Sequence, residues 1–456
     1  MRSIIALLAL SAPTTTCGEL HDVAQDNATF TGPSSRVGAA LAAPRIAAIH
    51  THLEGNLGDE METTPVLDFL TKAGYTVDVF CARWKRDPGQ RVSARAVREL
   101  AYADEVFTSS PPFGDSPHER RAEAALLSRD YAAVIVMPGP MNAARMLATC
   151  KLAHGLRSKP LVVAVGVTIS HIPAADSLGW NMSVYNPCSS ALVIAREPIT
   201  ARRWTAFVSR KGARTAELDI LADTMSADTL APCPALGSSA VFAGDTSFSF
   251  KPSAALMGTW RRHYSDWAHT QFDAGRGRPW RALIFNRNSN KENLRVYKGV
   301  VSLRVLTLPS VHSSKSPDRV GAPAVGYNKT KTVRFDATNV VFATSDVDVD
   351  RGYLANLVAR GIVPATRAIL AENVEQMWGL IDTARRAGVL VLSDRYHPAV
   401  AAHLLGARVQ VIKYSREPQK LNGVNQMLGL PSEKVHDLNA RAWRCMHQAL
   451  ATRRRS

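Results

Sequence analysis

The stretch from Val389 to Ile412 constrains the fold most. An apolar, β-branched run, Val389 to Leu392, enters the loop Ser393-Asp394-Arg395-Tyr396. A helical pattern from Pro398 to Leu405 leaves it and stops at Gly406, and the apolar run Val409-Gln410-Val411-Ile412 follows. Strand, short loop, helix and strand in that order make a parallel βαβ unit. Pro398 is expected at the first helical position, where a missing N–H costs nothing. Arg395 and His397 then sit where a strand ends and a helix begins. Unpaired backbone N–H groups and the helix dipole favour an anion there. Open parallel sheets bind their ligands at this end of the strands.

The same alternation recurs upstream. Arg45 to His50 has a strand pattern, Glu54 to Glu60 a glycine-bearing acidic loop, and Met61 to about Ala73 a helical pattern stopped by Gly74. Asp59 and Glu62 have the spacing of a capping box. Thr76 to Phe80, Ala133 to Met137, Pro160 to Val165 and Ala191 to Ile194 are further expected strands. Pro138-Gly139-Pro140 is expected as a turn, with Asn142 capping a helix to about Leu156. Ala195-Arg196-Glu197-Pro198 leads into a helix from Ile199 to about Phe207. From Ala222 to about Ser253 the pattern fades, and a helix-like stretch carries Trp260, Tyr264 and Trp267. A second α/β set begins at Ala282 to Phe285. It passes a polar loop at 308–330, a strand at Asn339 to Thr344 and helices at Gly352 to Arg360 and Ile369 to Arg386.

At 456 residues the chain exceeds one ordinary core, so two doubly wound α/β domains are expected. The sequence divides into a leader at 1–18, a polar flexible leader at 19–43, an N-terminal domain at 44–225, an inter-domain region at 226–278, a C-terminal domain at 279–445 and a basic tail at 446–456.

Met1-Arg2 followed by the apolar run Ile4 to Ala12 and small residues around Cys17-Gly18 has the shape of a signal peptide. A secretory, Golgi-lumenal or extracytoplasmic location is expected, with an organellar transit peptide as the rival reading. The sequons at Asn27, Asn181 and Asn328 would matter only in such a lumen. Past the leader, Cys81, Cys150, Cys188, Cys233 and Cys445 remain without a CxxC pair, which argues against a zinc site and leaves disulfide pairing open. The net charge of +16 calls for an acidic partner. No finger, RRM or KH pattern accompanies it, so nucleic acid is not expected.

Other motifs are excluded or weak. Asp346-Val347-Asp348-Val349-Asp350 lacks the Gly and Glu of an EF-hand, having Arg351 and Leu357 at those positions. Helix capping is its plainest role, with a metal grip for a nucleotide sugar as the alternative. The loop after the first strand is not GxGxxG, no GxxxxGK[ST] P-loop occurs, and no GxSxG elbow occurs.

Taken in order, Asn56-Leu57-Gly58-Asp59-Glu60, Arg196-Glu197, Arg395-Tyr396-His397-Pro398-Ala399 and Lys420 resemble the motifs of the polysaccharide pyruvyltransferase family, across roughly residues 44 to 430. The stiff Pro138-Gly139-Pro140 departs from the glycine-rich turn usual in that family. The resemblance implies a GT-B-like fold, two Rossmann-like domains facing across a cleft. It implies phosphoenolpyruvate as donor, a glycan sugar as acceptor, a cyclic pyruvate ketal as product, and no metal or cofactor. Arg196, Arg395 and Lys420 would bind phosphoenolpyruvate, guanidinium groups suiting its carboxylate and phosphate. His397 would be the general acid, with Arg196 beside it in the catalytic set. Asn56, Asp59 and Glu60 would hold the acceptor. A GT-B nucleotide-sugar glycosyltransferase and a non-catalytic glycan-binding family member are the alternatives.

Overall fold

The computed structural model describes residues 43–51, 56–81, 102–107, 109–170, 187–197, 240–268, 280–287, 294–297, 300–306, 330–413 and 432–455, with scattered positions at 200–236 and 424–430. Two parallel sheets form, each the centre of an α/β domain. The expected architecture of two Rossmann-like domains is the one observed.

The first domain contains β1 (Arg45–Thr51), α1 (Leu57–Lys72), β2 (Thr76–Cys81), β3 (Glu105–Phe107), α2 (Pro117–Ser128), β4 (Tyr131–Val136), β5 (Gly139–Asn142), α3 (Ala143–Gly155), β6 (Leu161–Ser170), β7 (Ala191–Ala195) and β8 (Ala240–Phe242). Its strands run in the order β3-β2-β1-β4-β6-β7-β8, all parallel. Such a sheet is apolar on both faces because helices cover both. Along β1, Ile46 and Ala48 face a layer with Val66, Leu67 and Leu70 of α1. Ala47 and Ile49 face the opposite layer, with Leu126 of α2 and Met146 and Leu147 of α3.

The second domain contains α4 (Ala254–Ala268), β9 (Ala282–Phe285), β10 (Leu294–Tyr297), β11 (Val300–Leu306), β12 (Thr330–Asp336), β13 (Val340–Thr344), α5 (Val347–Ala359), β14 (Ala368–Leu370), α6 (Val374–Arg386), β15 (Leu390–Ser393), α7 (Tyr396–Leu404) and β16 (Val409–Val411). The parallel sheet has the order β14-β13-β9-β15-β16, and β10-β11-β12 form a separate antiparallel sheet. The sequence reading missed that small sheet. Val301, Leu303 and Val305 on its inner face bury against Ala282, Ile284 and Leu354. The β-period alternation of β11 is legible in hindsight.

Several expectations need correction. Pro138-Gly139-Pro140 is not a turn: Gly139–Asn142 is β5, which pairs with β6 beyond the stretch that pairs with β4. Proline tolerates extended backbone, and Gly139 takes φ 138°, which other residues avoid. The inter-domain region at 226–278 contains β8, an edge strand of the first sheet, and α4, which packs on α6. At Gly379 of α6 an added Cβ would lie 2.7 Å from Trp260 Cβ, so the two helices touch almost backbone to backbone.

The boundary at 445/446 falls inside a helix, α8 (Ser432–Arg455). This helix returns to the first domain and buries Ala442, Met446, Ala449 and Leu450 against its sheet. Cysteine pairing, left open by sequence, resolves into Cys150–Cys188 and Cys233–Cys445, the second tying α8 to the first domain. Cys81 is buried at the end of β2. Among the described residues no helix is long and apolar enough to cross a membrane. Residues 1–42, which include Asn27, and Asn181, Asn328 and Lys420 lie outside the described residues.

Candidate functional site at the domain junction

The carboxyl ends of β1, β7, β13 and β15 meet where the domains touch. The backbone N–H of Leu57, opening α1, donates to Ser345 O after β13 at 3.0 Å. Asn56 and Asp346 form an isolated antiparallel bridge. An apolar layer beneath unites Leu57 and Met61 of α1 with Phe248, Tyr396 and Val400.

Helix α1 starts earlier than its apolar pattern indicated. Asn56 is the N-cap, its side chain accepting from Gly58 N at 3.1 Å, and its Nδ2 donates to Asp59 Oδ1 at 2.9 Å. Asp59 therefore sits in the first turn and is not the cap. Of the three candidate acceptor residues, Asn56 and Asp59 are joined in this capping contact, and Glu60 is largely buried. One turn on, Glu62 is carried inward and is 1% exposed.

Glu62 is the hub of the site. Arg196 Nη1, from the end of β7, donates to Glu62 Oε1, and His397 Nε2, from the first turn of α7, lies 2.7 Å from the same oxygen. Arg196 Nη1 also reaches Asp245 Oδ2 at 3.4 Å, its Nε donates to Thr168 Oγ1, and its guanidinium lies 5.2 Å from the Tyr396 ring centroid. Glu197 accepts from Thr168 and Thr200. Arg196, Glu62, Glu197 and Asp245 are all buried.

Three carboxylates thus surround one permanent cation away from water. They cannot all ionise cheaply. Burial first, and the Glu62 charge second, push Asp245 up to about 6 against the pull of Arg196. Burial also raises Glu197, opposed by Arg196. The cluster therefore takes up a proton more readily than ordinary carboxylates do, beside His397.

Glu62, Asp245 and His397 place one ligand atom each within 4.8 Å of one another, a donor set that suits a divalent cation. The Arg196 guanidinium already lies between the two carboxylates and supplies the positive charge a metal would bring.

A second charged cluster lies at the strand ends of the second sheet. Arg395 is the N-cap residue of α7, so Pro398 occupies the third helical position and not the first. A backbone N–H at that position has no intrahelical partner either, so proline loses nothing there. The Arg395 guanidinium is gripped by Asp350 and reaches Asp346 at 3.4 Å. Asp346 and Asp350 therefore serve as counter-charges to Arg395, a role the sequence reading did not anticipate. Burial pushes Asp350 up to about 6, against Arg395. Arg395 itself loses by burial and gains more from Asp350, Asp346 and Asp394, so its charge is held more tightly than usual.

The structure thus brings Arg196 and His397 into one cluster, with Arg395 held in another. Both arginines are paired by carboxylates of their own domain, while His397 reaches Glu62 of the other and Arg196 lies against the Tyr396 ring of the other. Glu62 and Asp245 are the residues that sequence reasoning did not assign to the site. Glu62 was legible only as a capping partner. Asp245 follows β8 through Gly244, whose φ of 74° marks a turn, and a strand-Gly-Asp signal was available there.

No family model and no curated protein matches the chain. Among solved structures, it is similar to UDP-GlcNAc 2-epimerase from Neisseria meningitidis bound to UDP-GlcNAc, at TM-score 0.40 and 11% identity, over 90% of this chain and 100% of that one. It is also similar to an O-GlcNAc transferase mutant from Thermobaculum terrenum, at TM-score 0.32 and 11% identity, over 98% and 72%. A glycosyl transferase family 9 protein from Veillonella parvula DSM 2008 aligns at TM-score 0.29 and 12% identity, over 90% and 97%.

Proposed function

We propose that the protein transfers the pyruvyl group of phosphoenolpyruvate to a sugar of a glycan, with His397 as the general acid. The observation that carries this reading is the contact between His397 and Glu62, which seats an imidazole beside a buried cluster of carboxylates and Arg196 at the strand ends of both domains. The ordered residues of the pyruvyltransferase resemblance supply the donor.

In the reaction, His397 protonates the methylene carbon of phosphoenolpyruvate, and the C=C electron pair forms the new C–H bond. One sugar hydroxyl adds to C2 and gives up its proton. A second hydroxyl displaces phosphate, which leaves with its bridging oxygen, and the cyclic ketal closes. The two hydroxyl protons end on the new methyl group and on phosphate, so the sum balances. Imidazole suits this traffic because a ring nitrogen can both give and take a proton. The paired cysteines support a secretory or other oxidising lumen as the location.

A second reading is favoured by one observation. Arg196 and Arg395 are neutralised by carboxylates of their own domains, so a non-catalytic glycan-binding protein would need no change in either cluster.

The test is acceptor-dependent phosphate release from phosphoenolpyruvate, with β-galactosides and other glycosides, in EDTA. Release with a matching mass gain of the sugar, lost in His397→Ala, is the expected result. Turnover of a nucleotide sugar with manganese, and none of phosphoenolpyruvate, would replace this reading with glycosyl transfer. Glycan binding that His397→Ala leaves intact, with no turnover of either donor, would favour the binder.

A further inference from the structure

We infer that Glu62 is a positioning residue that holds neutral His397 as its Nε2–H tautomer, with the bare Nδ1 turned against Gly58 of α1. The role deepens the proposed reaction and rests on that reading for its catalytic meaning, but the tautomer itself follows from geometry. Two nitrogens converge on the single oxygen Glu62 Oε1. Arg196 is charged at every working pH and can only donate. An oxygen that already accepts a charged donor is a poor place for a carboxyl proton. Glu62 Oε1 therefore accepts from His397 as well, and Nε2 must carry hydrogen. Neutral imidazole has one N–H, so its lone pair is at Nδ1.

The other face of the ring agrees. A Cβ built on Gly58 would lie 1.7 Å from His397 Nδ1 and 2.4 Å from Cγ. The ring edge bearing Nδ1 thus fills the place where any other residue would carry its side chain. Nδ1 faces the first turn of α1, which carries the acceptor candidates Asn56 and Asp59. Nδ1 lies against the Gly58 backbone, which offers it no acceptor, so a bare nitrogen fits there.

The full chain, labelled with ¹⁵N-histidine, tests this by long-range ¹H–¹⁵N correlation at a pH where the imidazole is neutral. The His397→Gln spectrum identifies the signals. The expected result is a bare Nδ1 and a protonated Nε2 in the wild type. Glu62→Gln, whose amide oxygen still accepts, should keep that tautomer, and Glu62→Ala should lose the bias. Glu62→Ala should also lower kcat for phosphate release by about 10–100-fold with little change in KM, the scale of removing a residue that orients another. A wild-type Nδ1–H tautomer overturns the inference whether or not the variants fold, as does a tautomer unchanged in a folded Glu62→Ala. A wild type that turns over no phosphoenolpyruvate removes the pyruvyl reading, while the tautomer result still decides the role of Glu62.

Discussion

Glu62 and His397 lie in different domains, 335 residues apart in sequence, and their side chains meet at 2.7 Å. Glu62 stands one turn inside α1 and His397 in the first turn of α7, and Gly58 of α1 lies directly against the imidazole. The contact joins the two helix N-termini across the junction.

This close approach makes Gly58 the most sensitive small residue at the junction. Gly58→Ala would place a methyl group inside the His397 ring, so ring or helix must move. A loss of about 1–3 kcal/mol is expected, the range for overpacking a filled site. Gly155→Ala is the control, since a Cβ there meets nothing within 4 Å, and should change stability by less than about 0.5 kcal/mol. Urea unfolding of both variants checks this; equal midpoints would show that His397 has room to retreat.

Much of this arrangement was legible in the sequence, and the rest was not for identifiable reasons. The strands from Arg45, Ala191, Ala282 and Val389 show as apolar runs because parallel strands are buried on both faces. Arg196, Arg395 and His397 were found because strand-to-helix junctions are where polar groups gather. What each arginine faces was not legible. Asp245 is 49 residues from Arg196, and Asp350 is 45 from Arg395, separations that no local pattern records. Helix α8 was read as a tail because Arg453-Arg454-Arg455 dominate its end, although Met446, Ala449 and Leu450 sit at helical spacing just before them.

Arg196 separates structural from substrate-binding use of a guanidinium. It is 1% exposed among three carboxylates, so Arg196→Ala leaves uncompensated buried charge. A loss of about 3–5 kcal/mol is expected at pH 7. The loss should shrink at pH 5, where the carboxylates take up protons. Denaturant curves at both pH values decide it. A variant that folds normally but no longer binds phosphoenolpyruvate would assign Arg196 to the ligand instead.

The raised carboxylates predict the pH dependence of stability. Asp245 and Asp350 titrate near 6 in the folded protein, against 3.8 for the ordinary group. Over that window the folded state binds more protons than the unfolded state, so these two groups make stability fall as pH rises. Their contribution is fully present below about pH 4 and lost by about pH 7. Asp350→Asn keeps the side chain's shape without its titration. The difference in unfolding free energy, wild type minus variant, should therefore decline between pH 4 and 7. A flat difference would mean that Arg395 keeps Asp350 ionised throughout.

The Cys150–Cys188 bridge closes a loop of 38 residues. Chain-entropy reasoning gives about 4 kcal/mol for a loop of that length. Cys150→Ser with Cys188→Ser should lower the thermal midpoint clearly, and reductant should do the same to the wild type. Cys81→Ser is the comparison, since Cys81 belongs to neither bridge. If reductant leaves the midpoint unchanged, the pair is not joined in the purified protein.

Removing residues 446–456 tests whether the end of α8 is part of the first domain. The deletion takes away Met446, Ala449 and Leu450, which pack against β-strands more than 200 residues upstream in the sequence. Fully burying a Met or Leu side chain contributes about 1.5–3 kcal/mol, so the two larger residues together supply about 3–6 kcal/mol. The cut falls one residue past Cys445, so its bridge to Cys233 would be left at a frayed helix end. Lost stability on this scale is a large share of what a domain has, and the truncated protein should aggregate or unfold at moderate temperature. Replacing only Arg453, Arg454 and Arg455 by Gln removes the basic character without touching the packed residues. That variant should keep the wild-type melting temperature within about 2 °C, the shift that a change below about 0.5 kcal/mol gives. If instead the deletion is tolerated and the Gln variant melts early, the end of α8 acts through its charge and not through the sheet it covers.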